Sequence, residues 1–120
     1  KVRGTPLSLK HTGLISLSGD VLPSDPSVMR ELKSFDVSYN SKITSLNPSF
    51  KLILPKMNGL LRLNLQKCGL KTIPNCIDSG FNHLIHLQVL NISENQVVSM
   101  DIHVLRLTSV YCPLKYFLFV

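Results

Sequence analysis

The 120-residue sequence has no tryptophan, three cysteines, 7% aromatic residues, and seven Asp and Glu against thirteen Lys and Arg. These shortages are informative. Cys68, Cys76 and Cys112 form an odd, unclustered set, so they build no disulfide framework and favour free thiols in a reducing, cytoplasmic compartment. No apolar run is long enough to cross a membrane, and the start carries no charged-then-apolar leader. A Gly-rich phosphate loop, a G-x-S-x-G elbow and an H-E-x-x-H pair are all missing. The net charge of +6 is concentrated in residues 1–75, which hold 11 of the Lys and Arg. No aromatic residues interleave with those lysines to stack on bases, so nucleic acid is not an expected partner.

What the sequence does have is a repeat. In the stretch Leu60–Pro74, apolar residues stand at Leu60, Leu63, Leu65, Leu70 and Ile73, with Cys68 at the ninth place. Leu63 and Leu65 alternate like a short strand, and Leu70 and Ile73 resume burial after a turn. The same spacing recurs from Leu87 to Val97, with Met100 beyond it. It recurs again from Leu32 to Asn40, followed by Ile43 and Leu46 after one extra residue. A weaker copy holds Leu7, Leu9, Thr12, Leu14 and Leu17, and a half copy holds Leu114, Phe117 and Phe119. Equivalent places at Leu9, Val37, Leu65, Ile92 and Phe119 lie 28, 28, 27 and 27 residues apart. A unit of this kind cannot bury its apolar face alone, so the copies must stack.

The order L-x-x-L-x-L-x-x-N/C-x-L resembles the leucine-rich repeat family over nearly the whole chain. The resemblance implies an α/β fold. This is a right-handed leucine-rich repeat solenoid of about four turns, with short parallel strands on the concave face and short helices or irregular loops on the convex face. The turns fall near 4–31, 32–59, 60–86 and 87–113, with a partial turn at 114–120. The ninth places, Thr12, Asn40, Cys68 and Asn95, are the expected structural ladder. A buried Asn there bonds the backbone of neighbouring turns, and Cys or Thr does so more weakly. Neither end reads as a polar cap, so residues 1–120 are expected to be one domain from a longer array, able to self-associate through uncapped ends.

Between the repeats, Ser27 is the expected cap of a short turn through Val28, Met29 and Leu32. Phe50, Ile53, Leu54 and Met57 recur at helical spacing, predicting a short helix against the core. Phe81, Leu84 and Leu87 step in the same way. Cys76 with His83 and His86 matches no zinc spacing, and the histidines read as solvated. No cofactor or metal is expected.

Alternation along the strands sends Ser8, Lys10, Asp36, Ser38, Asn64, Gln66, Asn91 and Ser93 to the concave face, with Lys33, Tyr39, Arg62, Lys67 and Glu94 beside them. Lys10, Asp36, Ser38, Tyr39, Asn64, Gln66, Asn91 and Ser93 are the candidate partner-binding residues. The surface is polar and poor in aromatics, with Tyr39 as its one anchor. Asn91-Ile92-Ser93 is also a formal glycosylation sequon. Asp36 and Glu94, two turns apart, are separated by about 10 Å of strand spacing, too far for a working carboxylate pair. The expected function is a protein–protein interaction module, not an enzyme. Asp25–Asn40 is similar to a turn from the arrays of Roco-type kinases. The alternatives are a segment of an extracellular Toll-like receptor ectodomain or, from another class, a catalytic domain.

Overall fold

Each strand of the main sheet pairs with the one a full repeat away, so the steps of 28 and 27 residues become contacts in space. The computed structural model describes residues 5–17, 22–45, 48–73, 83–97, 99–100 and 116–118. Expectations for Leu46, Pro74, Cys76, Phe81, the segment 101–114 with Cys112, and Phe119 lie outside those residues.

Five strands, β1 (Thr5–Ser8), β2 (Leu32–Asp36), β3 (Arg62–Asn64), β5 (Val89–Asn91) and β7 (Tyr116–Leu118), form one sheet in the order β1-β2-β3-β5-β7. Every pairing is parallel. Leu7, Phe35, Leu63, Leu90 and Phe117 stand in one line across it, and Ser8, Asp36, Asn64, Asn91 and Leu118 in the next. A second, two-stranded parallel sheet joins β4 (Thr72–Ile73) to β6 (Ser99–Met100), with Ile73 opposite Met100. The register matches the repeat because a one-residue slip would turn every apolar side chain of a strand away from the core.

The segments between strands carry the helices. α1 spans Pro26–Glu31, and its cap is Asp25, not Ser27 as the sequence suggested. The Asp25 carboxylate accepts the Ser27 amide at 2.9 Å and the Ser27 hydroxyl at 2.8 Å. Those two bonds, the amide first, hold its pKa below the usual carboxylate range. Pro26 sits at the first helical position, where its missing N–H costs nothing and its φ is already set. α2 spans Pro48–Ile53 and passes into a 3-10 turn, Leu54–Met57. Pro55 explains the change, since it has no amide for an α-helical bond and its ring crowds the carbonyl four residues back.

The core lies between the sheet and these helices. Phe35, Val37, Leu60, Leu65, Leu87, Leu90 and Ile92 are fully buried from the sheet side, and Phe50, Leu54, Met57 and Leu84 from the other. Each such side chain contributes roughly 1.5–3 kcal/mol of transfer free energy. Ile53 packs against this core only partly, and Val28 is exposed.

Three expected ladder residues tie the turns together. Asn40 Oδ1 accepts the amides of Thr12 at 3.0 Å and Leu14 at 2.9 Å, while its Nδ2 donates to the carbonyls of Leu9, Val37 and Ser38. Asn95 repeats the set two levels on: it accepts from Cys68 and Leu70, and donates to Leu65, Ile92 and Ser93. Cys68 fills the same place between them. Its thiol donates toward Val37 O at 3.2 Å and Gln66 O at 3.6 Å, and the Asn40 amide points at it. Thr12 departs from the expectation of burial: it is exposed and its hydroxyl bonds only Leu9 O, within its own turn.

The residue before each ladder place has a left-handed backbone: His11 at φ 54°, Tyr39 at 62°, Lys67 at 53° and Glu94 at 58°. Here the strand ends and the chain turns into its next segment. Gly69 also has positive φ, and a Cβ on it would lie 2.4 Å from the carbonyl oxygen of Ser41. Ser41 opens the stretch that holds the extra residue of the second copy, so Gly69 is the residue that leaves room for it.

Candidate functional site

On the face of the sheet away from the helices, the strand positions read as rows. The first row is Ser8, Asp36, Asn64 and Asn91, one residue per strand. Each turns a side-chain oxygen back on its own backbone. Asp36, Asn64 and Asn91 accept the amides of Ser38, Gln66 and Ser93, each at 2.9 Å, and Ser8 Oγ accepts that of Lys10 at 3.4 Å. These bonds steer the chain out of the strand. Three of the candidate binding residues, Asp36, Asn64 and Asn91, therefore bend the backbone with one oxygen and have only the rest of the head group for a partner. In the sequon, Ser93 Oγ donates to Asn91 Oδ1 at 2.6 Å, so serine and asparagine already engage each other on a half-buried strand end.

The second row is Lys10, Ser38, Gln66 and Ser93. Interstrand amide bonds continue beside it: His11 N to Ser38 O at 3.0 Å, Tyr39 N to Gln66 O at 2.8 Å and Lys67 N to Ser93 O at 3.1 Å. Lys10 is exposed, and Gln66 and Ser93 are half-buried. Ser38 is not on the open surface: it is 1% exposed, and its hydroxyl has no hydrogen-bond partner among the described residues. Alternation places it on this face as a candidate binding residue, but its burial keeps it from an open surface.

The third row, His11, Tyr39, Lys67 and Glu94, is exposed throughout. These are the residues with left-handed backbones, whose side chains stand at the rim of the face. Lys10 Nζ lies 5.2 Å from the centre of the Tyr39 ring, and Lys67 Nζ lies 5.9 Å from it. One ring thus carries a cation from the turn on either side. Beyond them Gln66 Nε2 donates to Glu94 Oε2, which binds that carboxylate into the face.

Sequence reasoning named Lys10, Tyr39 and Lys67 separately but not their convergence, weighed His11 only as a base beside Ser8, and missed Ser34 and Val89. Ser34 and Val89 share a line with Arg62 and Pro6. The 28-residue step contains the information, since it places Lys10, Tyr39 and Lys67 on adjacent turns. Lys33 leaves the face: it is half-buried, and its ammonium lies 3.1 Å from where a Cβ on Gly59 would be.

The groups the face presents are charged and hydrogen-bonding ones. Glu94 is held by Gln66 and Asp36 by the Ser38 amide. The pKa of the buried Cys68 thiol is pushed up to about 11, mainly by burial, with the Asn40 backbone amide opposing the shift and Asp36 adding to it. No group of three His, Cys, Asp or Glu converges among the described residues, and no helix among them is long and apolar enough to cross a membrane. His83 and His86 are exposed. No family model, curated protein or solved structure matches the chain.

Proposed function

We propose that this chain is a turn-by-turn right-handed leucine-rich repeat solenoid of about four turns and that it works as a protein-interaction module through the concave face of its sheet. The parallel strand order, the repeat-length register and the two equivalent asparagine bond sets support the solenoid reading. The right hand is the one adopted by nearly all parallel crossovers. The observation that carries the function is the Lys10–Tyr39–Lys67 cluster. Two ammonium groups share one half-exposed ring, and no ion pair engages either among the described residues. Such a surface fits an acidic segment of another protein, with carboxylates meeting the lysines while an apolar group covers the ring. The unclustered cysteines support an intracellular setting within a larger signalling or regulatory protein.

The test compares binding partners captured by the native chain, by Lys10→Glu with Lys67→Glu, and by Lys51→Glu. Lys51 is exposed on α2, away from the face. A partner that is kept by Lys51→Glu, lost by the double reversal, and weakened as salt rises supports the reading. A partner that ignores the double reversal overturns it.

A further inference from the structure

Behind the sheet, on the helical side, α1 and the 3-10 turn enclose a cavity of about 430 Å³. That volume is within the range of small-molecule sites. Its body is apolar, made by Leu22, Met29, Ile53 and Pro55, of which Leu22 and Met29 are buried. Two cations, Arg30 and Lys56, join the same wall, and among the described residues the lining holds no acid. Neither cation has an ion pair among the described residues. Asp25 feels Arg30 only weakly and is occupied as the cap of α1 by Ser27. An apolar hollow with two cationic heads and no countercharge among the described residues suits a molecule with an apolar body and one anionic end.

We propose that this cavity binds a medium-chain acyl carboxylate, with the chain against Met29, Ile53 and Pro55 and the carboxylate between Arg30 and Lys56. The apolar wall supplies most of the binding by area removed from water, and it would take any chain of suitable length. The two cations supply the choice of an anion, because hydrogen bonds to a charged partner are about twice as strong as neutral ones. The site is separate from the Lys10–Tyr39–Lys67 surface, so either one can be lost without the other.

Decanoate and decanol are the probes, followed by calorimetry and by the methyl signal of Met29 in the native chain. Decanoate should bind saturably, one per chain, shift Met29, and exceed decanol about tenfold in affinity. Arg30→Glu with Lys56→Glu should abolish that advantage while an unchanged amide spectrum shows the fold intact. The exposed Lys51→Glu, outside the cavity, should leave binding as it was. Equal affinity for decanol, undiminished decanoate binding in the double variant, or no saturable binding at all would each overturn the proposal.

Discussion

Asn40 and Asn95 are the residues on which single substitutions should tell most. Each satisfies five backbone groups from two adjacent turns with one amide head. Asn40→Ala should cost about 3 kcal/mol, since a buried group left without its bond loses roughly 1–3 kcal/mol. Gln96→Ala, at an exposed neighbour, should cost close to nothing, and thermal melts of the pair decide whether this register is right. The left-handed residues allow a second comparison. Thr44 has φ 61°, a conformation that a β-branched residue resists, whereas Gly69 at φ 71° has no space for a Cβ. Thr44→Gly should therefore stabilise by about 0.5–1 kcal/mol, and Gly69→Ala should destabilise by about 2–4 kcal/mol, as denaturant midpoints would show. Cys68 yields a third expectation. With a folded-state pKa of about 11 against the ordinary 9.0, the thiol ionises first in the unfolded chain. Its contribution to stability is complete below about pH 9 and is lost as pH climbs toward 11. Cys68→Ala should flatten that alkaline loss, and native Cys68 should resist alkylation at pH 8 until the chain is unfolded, as read from its own peptide by mass.

Among the elements, the strands are too short to stand alone: β3 and β5 have three residues each. They persist because their pairing continues past the strand ends through the amides at Leu9, Val37 and Leu65, at 2.7, 3.0 and 2.7 Å from their acceptors. The helices depend on the sheet in the same way, since six residues are too few for a stable helix in water. Their worth lies in the side chain they send inward. Phe50 is fully buried on α2 while Leu52, two residues on, is 70% exposed. Phe50→Ala should cost about 3–5 kcal/mol and Leu52→Ala almost nothing, although both remove a large apolar group. Equal losses in urea unfolding would mean that α2 presents a different face to the core.

For the whole molecule, charge and edges matter. With thirteen Lys and Arg against seven Asp and Glu, the proposed acidic partner would be held by charge, and its affinity should fall as salt screens the face. β1 and β7 stand outermost in the described sheet. An outer strand invites another chain to add to it, and a charge placed there discourages the addition. Leu118 shares its register line with Ser8, Asp36, Asn64 and Asn91. If the chain associates through β7, light scattering should show a mass that grows with concentration, and Leu118→Lys should return it to a single chain. A native chain that stays monomeric across the same range would remove the edge from consideration.

The spacing of Leu63, Leu65 and Cys68 and its recurrence determined, without coordinates, which residues are neighbours across the sheet. A repeat can bury its apolar face only by laying like residue on like, so a steady period in sequence becomes a register in space. The same logic made Asn40 and Asn95 legible as ladder residues. Other features depended on which turn meets which, and at what angle. These are the closing of Ser38, the cap at Asp25, the left-handed turn at Tyr39, the clearance between Gly69 and Ser41, and the cations on either side of one ring. Each rests on contacts between residues whose types alone are ordinary. Pattern in the chain set the pairing, because burial is a property of residue type and period; distance and backbone angle set the site, because a contact is a property of two segments brought together.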